Sequence, residues 1–247
     1  MEVLELFGIA LAPGAAIMLY IYLKDKHERE PLSLLLISFF YGVLSTLLTL
    51  SISWPLTAFV SFKADDLVDQ FYDAFFMVAL VEEASKFVFV RLILFPNKNF
   101  NEPFDGIVYA VMVSMGFATL ENIMYVFQYG FETGVLRMFT AVPAHATFGV
   151  MMGYYLGKAK FIHARTFYYG ALGLLAATFF HGAYDYFWFI AEVKDIWTGV
   201  WMFAILSLII GLVLSRKAIR LHQQASPFIK KEILQEEKVD AEPPVVS

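Results

Sequence analysis

The stretch LLLISFFYGVLSTLLTLSISWPLTAFV, Leu34–Val60, runs without a single Asp, Glu, Lys, Arg or His. A helix rises about 1.5 Å per residue and a bilayer core is about 30 Å thick, so about 20 such residues span it. Pro55 near its end kinks or shortens that span. Working outward, comparable apolar runs occupy Leu6–Leu23, Phe71–Phe95, Phe104–Phe127, Met138–Tyr155, Phe167–Ile190 and Trp197–Ile219. Polar punctuation separates them, as in the Lys24–Pro31 segment and in Pro96-Asn97-Lys98-Asn99. The expected fold is therefore all-α, a polytopic membrane protein of about seven transmembrane helices.

Composition agrees. Of 247 residues, 59% are hydrophobic and only 17% charged, and the mean hydropathy is +0.63. A soluble domain would be nearer half apolar and a quarter charged, which excludes a secreted globular enzyme. A net charge of -5 speaks against binding nucleic acid. The chain has no cysteine, which removes disulfides, thiol catalysis and thiolate metal sites. The first span lacks a basic flank and has Glu2 and Glu5 in its place, so it reads as a membrane anchor and not a cleaved signal.

Lys and Arg collect in alternate connections: Lys24, Lys26 and Arg29, then Arg91 and Lys98, then Lys158, Lys160 and Arg165, then Arg216, Lys217 and Arg220. The other connections hold Lys63, Arg137 and Lys194. Basic loops stay in the cytoplasm, so the N-terminus is expected outside and the C-terminus inside. Residues 1–220 form the helical domain, with the chemistry expected in 71–190, and 221–247 read as a polar cytoplasmic tail. His27, His163 and His222 fall in cytoplasmic segments and are expected to be solvated.

Ionisable groups inside hydrocarbon are costly, so each marks a candidate site. They occur in four consecutive spans: Glu82, Glu83 and Lys86; Glu121 beside Asn122; His145; and His181 with Asp185. At 1.5 Å per residue the glutamate pair lies about 17 Å from the outer end of its span, and Glu121, His145 and His181 about 10–14 Å deep. That convergence predicts a polar pocket reached from the extracytoplasmic side. His181 and Asp185 share a helix face with the small residues Ala177 and Gly173, and His145 shares one with Gly149, Gly153 and Gly157. Small residues at that spacing favour close helix packing. Structural readings stay open: Glu82 and Lys86 as a neutralising pair, Glu121 bonded to Asn122 or Arg137, and His145 as a bridge between helices.

The ordered set Glu82-Glu83-x-x-Lys86, Phe117-x-x-x-Glu121-Asn122, His145 and His181-x-x-x-Asp185 resembles the PrsW family of bacterial intramembrane proteases. That family is related to the CAAX prenyl proteases and to bacteriocin-immunity proteins. CAAX enzymes typically read Glu-Glu-x-x-x-Arg, Phe-x-x-x-His and His-x-x-x-Asn. Here Lys86 lies one residue earlier than the Arg, Glu121 replaces the His, and Asp185 replaces the Asn, as in the PrsW branch. The resemblance implies a protein of the bacterial cell membrane that makes the first cut in a single-span anti-sigma factor. It also implies a metal-free scheme built on glutamate.

Peptide hydrolysis needs an activated water, an oxyanion donor and a proton for the leaving amine. Glu82 or Glu83 is expected to be the general base, with the other and Lys86 balancing charge. Glu121 would help bind the water or shuttle the proton, His181 oriented by Asp185 would donate to the oxyanion or protonate the amine, and His145 would complete the shell. Phe117 and Asn122 support them. No cofactor is expected. The alternative is a zinc ion held by Glu83, Glu121, His145 and His181, because imidazole with carboxylate suits zinc. Two other classes fit the same polar residues: an ion- or proton-coupled transporter, and a scaffold whose polar groups only join helices. Oligomeric state is not readable from the sequence.

Overall fold

The computed structural model describes residues 3–193 and 196–229, and every regular element among them is helical. Helix α1 is Val3–Lys24 and α2 is Leu32–Thr57. Pro55 sits in the last turn of α2, which ends short of the apolar limit at Val60. Next comes one continuous helical stretch whose winding alternates: α3 (Leu67–Tyr72), a π-helical segment (Asp73–Ala79), α4 (Leu80–Phe89) and a second π segment (Val90–Leu94). Asp66 caps it by accepting from the Val68 and Asp69 amides, at 2.8 and 3.1 Å. Then follow α5 (Pro103–Tyr129), α6 (Phe131–Phe139), α7 (Ala141–Phe161), α8 (Thr166–Ile190) and α9 (Trp201–Gln224).

Five segments are long and apolar enough to cross a membrane: α1, α2, α5, Phe131–Phe161 and α9. The expected spans 71–95 and 167–190 are helical but fall outside that set. Alternating π turns interrupt the first as a regular α-helix, and the second carries His181, Asp185 and several tyrosines. These two segments hold four of the six expected catalytic residues, Glu82, Glu83, His181 and Asp185, together with Lys86.

Helix α5 is the axis of the bundle. Every residue from Phe104 to Thr119 is buried, with α1, α2 and α7 packed around it. Small residues allow the close approaches. A methyl group on Gly116 would collide with the Phe39 carbonyl of α2, and one on Gly42 with the Val113 carbonyl of α5. Gly153 and Gly157 of α7 likewise face Gly106 and Pro103. Helix α8 packs on α7 and on the Asp73–Ala79 segment, which brings the segments carrying Glu82, Glu83, His181 and Asp185 together.

One expectation is corrected here. His222 is buried, with 3% of its surface exposed, and stacks on Tyr154 with ring centres 4.5 Å apart. Helix α9 continues past the point where the sequence loses apolar character, and its last turn packs under Gly157. Lys194 and residues 230–247 of the expected tail lie outside the described residues.

Candidate active site

The glutamate pair sits just after the Asp73–Ala79 π segment, the kind of local rewinding often found at functional sites. Adjacent residues on a helix point about 100° apart, and the two carboxylates accordingly have different surroundings. Glu83 is fully buried, and its Oε1 accepts from Lys86 Nζ at 2.7 Å and from His181 Nδ1 at 2.9 Å. Glu82 keeps 12% of its side chain exposed and lines a cleft. Its Oε2 lies 3.6 Å from Lys86 Nζ and 3.8 Å from His181 Nε2, and has no hydrogen-bond partner.

Lys86 is the hub. Its ammonium bonds Glu83, approaches His145 Nδ1 at 3.2 Å and lies 4.0 Å from the centre of the Phe117 ring. An ammonium can only donate, so His145 Nδ1 accepts from it. His145 Nε2 then carries the hydrogen and donates to Glu121 Oε2 at 2.9 Å. The same Glu121 oxygen pairs with Arg137 Nη2 at 2.6 Å. Arg137 Nε donates to Asn122 Oδ1 at 3.0 Å, and Asn122 Nδ2 in turn donates to the Ala10 carbonyl at 3.1 Å. Both nitrogens of His181 face carboxylates, Nδ1 toward Glu83 and Nε2 toward Asp185 Oδ2 at 3.1 Å. The Phe148 ring stacks on His181 with centres 4.7 Å apart and fixes its plane.

All six expected catalytic side chains, and Lys86, Phe117 and Asn122, thus form one connected network drawn from α4, α5, α7 and α8. Glu82, Glu121, His145, His181 and Asp185 line a cleft of about 410 Å³; Glu83 and Lys86 lie behind its wall. The sequence pattern places Arg137 in a connection between spans, where a bond to Glu121 is one structural reading. In the structure α6 turns it inward, and only 12% of its side chain is exposed. The signal available was Gly130 (φ +91°) followed by an amphipathic run ending in Arg137, which is a turn and a short helix, not an extramembrane loop. Phe148, Tyr125 and Tyr184 also line the cleft and carried no signal beyond being aromatic.

The donor atoms that gather within 4.8 Å of one another come from Glu82, His145 and His181. The set expected for zinc had Glu83 and Glu121 in place of Glu82. The three are of the right chemical type for zinc. In this arrangement, however, each imidazole nitrogen already faces a hydrogen-bond partner. The Lys86 ammonium also stands within 3.6 Å of Glu82 and 3.2 Å of His145, where it would repel a dication. Glu82, His145 and His181 are the residues that would hold a zinc ion here, and the Lys86 ammonium competes with a dication for them.

A second group of acids lies away from the cleft, at the junction of the α1–α2 connection with the start of α5. Asp25, Glu30, Glu102 and Asp105 are all buried. Tyr109 donates to Glu30, and Asp105 Oδ2 accepts from the Asn101 and Glu102 amides at 2.7 and 2.8 Å. Burial raises the carboxyls of Asp25 and Glu30 from their ordinary range to about 7. The group locks the connection onto α5 and has no opening to the cleft.

Comparison with known proteins places this geometry in context. A family model described as PrsW family intramembrane metalloprotease matches residues 30–212. The chain is 39% identical over 201 residues to Protease PrsW of Geobacillus kaustophilus, covering 81% of this chain and 87% of that one. It is 37% identical over 183 residues to Protease PrsW of Bacillus subtilis, covering 73% and 81%. With Protease PrsW of Clostridioides difficile the identity is 33% over 190 residues, covering 74% and 79%. No solved structure matches the chain.

Proposed function

The chain belongs to the PrsW family of intramembrane proteases, and from that premise we propose that it hydrolyses a membrane-anchored protein with water activated by Glu82. The observation that carries this reading is the split of the glutamate pair. Glu82 lines the cleft with 12% of its side chain exposed, while Glu83 is fully buried behind the wall with its Oε1 bonded to Lys86 and His181. A general base must reach the water it deprotonates, and of the glutamate pair Glu82 is the one that borders the cleft.

Glu82 takes a proton from water as the hydroxide adds to the scissile carbonyl. His181, held by Glu83 and Asp185, gives a proton to the departing amine, and Glu82 returns its own to the network. Arg137 lines the cleft with donors beyond the two that Glu121 and Asn122 use, and these suit the developing oxyanion. Asp185, ionised, cannot donate to it. The Lys86 ammonium supplies the fixed positive charge among the carboxylates, and no step is routed through a metal. Five of the six expected catalytic residues line one cleft, which supports a protease over a transporter.

The proposal extends to topology and substrate. All seven helical passes cross the membrane, with the N-terminus outside, the C-terminus in the cytoplasm and the cleft opening outward. The substrate is a single-span membrane protein such as an anti-sigma factor, cut near its extracytoplasmic end. The test uses the full-length protein reconstituted with a single-span substrate. Glu82→Gln should lower the cleavage rate by about 10²–10⁴ while folding normally, and exhaustive chelation should leave the unmodified enzyme active. Full activity in the Glu82 variant would remove it as the base. Loss on chelation restored by zinc would replace this reading with the metal-dependent one.

A further inference from the structure

Helices α1 and α9 both pack on α5 and α7, and the space between them is a groove that shares no lining residue with the catalytic cleft. Its inner part, about 210 Å³, is walled by apolar side chains such as Ile17, Ile21, Val150 and Leu212. Its mouth, about 250 Å³, is bordered by Lys24, Arg216 and Arg220. The two parts share Tyr20, Arg216 and Ile219, so they are one continuous channel. Gln223 closes the lower end by donating to the Lys24 carbonyl at 2.5 Å.

Three features of this groove call for an occupant. No acidic side chain lines either part, and neither Arg216 nor Arg220 forms an ion pair among the described residues. The Ser215 hydroxyl is buried, 6% exposed, lines the inner part and has no hydrogen-bond partner there. The apolar section lies directly beside the basic mouth, in a protein that lives in lipid. We propose that the groove binds an anionic glycerophospholipid. The phosphate sits against Lys24, Arg216 and Arg220, the Ser215 hydroxyl donates to an ester or phosphate oxygen, and one acyl chain lies along Ile17 and Leu212. Cations near a membrane surface draw acidic lipid, but a free phosphate would have no use for the apolar section. The lipid would fill the space between α1 and α9 beside the Gln223–Lys24 contact.

The test measures lipids retained by the full-length protein in detergent by native mass spectrometry, titrating phosphatidylglycerol against phosphatidylcholine. Phosphatidylglycerol should be retained in preference. Each basic group near a headgroup contributes about fivefold in affinity, so R216Q/R220Q should weaken binding by roughly thirtyfold. The pair R165Q/K217Q removes the same two charges from exposed positions that do not line the groove and should leave binding unchanged. Ser215→Ala keeps the charge and should cost about fivefold. Equal losses from both charge pairs would reduce the effect to general surface charge and overturn the proposal, as would equal retention of the two lipids. Displacement of the lipid by inorganic phosphate at matched concentration would make the groove an ion site. Lipid binding that appears only when residues 230–247 are deleted would make the chain's own acidic tail the occupant.

Discussion

Lys86 shows why a single residue can decide between two chemistries. Its ammonium touches Glu83 and His145 and lies close to Glu82, all in a buried setting where Coulomb forces act at low dielectric. Removing one member of such a network leaves the others uncompensated, at a cost of about 3–5 kcal/mol. Lys86→Met is therefore expected to lower thermal stability in detergent by that order and to abolish cleavage. Arg137 is a second case. Arg137→Gln should depress cleavage strongly, and Arg137→Lys should restore part of it, because Lys keeps the charge near Glu121 but not the fork that also engages Asn122. A rate series on a single-span substrate, read beside insertion and melting controls, separates these outcomes from misfolding. At this scale the residue types in the site were legible because ionisable groups are costly in hydrocarbon. Which oxygen meets which nitrogen was not, since that depends on rotamers set by neighbouring helices.

Elements carry the next level of control. Between the two π segments, α4 presents Glu82 to the cleft and Glu83 behind it. Nothing in the apolar pattern announces a π turn, because the side chains on either side remain apolar. Short helix α6 escaped notice for a related reason: an amphipathic nine-residue helix reads like a loop when only membrane-length runs are sought. Glycine spacing was more informative. The stripe Gly149, Gly153 and Gly157 does face α5 and its neighbours at close range. The α2–α5 crossing is tighter still, with Gly42 and Gly116 against the opposing backbones. Gly116→Val should therefore push these helices apart at a cost of about 1–3 kcal/mol or more, seen as a lower melting temperature and loss of activity. Gly8→Ala in α1, where added volume meets open space, should change neither.

For the whole molecule, the proposed topology makes a prediction that the absence of cysteine renders easy to check. Single cysteines at Lys63 and at Lys98 should react with a membrane-impermeant thiol reagent from opposite sides, the first from outside intact cells and the second only after permeabilisation. The acids beneath α5 give a second whole-chain property. Asp25 and Glu30 hold protons in the folded protein up to about pH 7, whereas unfolded Asp and Glu lose theirs near 3.8 and 4.5. The folded state therefore binds more protons between those limits, and stability must fall as pH rises through that window. Melting in detergent should occur at a higher temperature near about pH 5 than near about pH 8. Asp25→Asn with Glu30→Gln should flatten that slope. An unchanged slope in the double variant would assign the effect to other groups.

The charge-free run at Leu34–Val60 and its counterparts determined by themselves that the chain is a bundle of helices in a membrane, because hydrocarbon accepts only long apolar segments with satisfied backbones. The cost of burying Glu82, Glu83, Glu121, His145, His181 and Asp185 likewise singled them out without any structure. Tertiary structure alone decided that Glu82 faces the cleft while Glu83 does not, that Lys86 reaches both Glu83 and His145, and that Arg137 turns inward. It also decided that α1 and α9 leave a basic-rimmed groove. Those facts depend on which helix faces meet and at what distance. Apolar side chains of similar volume give many pairings nearly the same hydropathy, so the sequence pattern does not distinguish them; close packing and directional hydrogen bonds do.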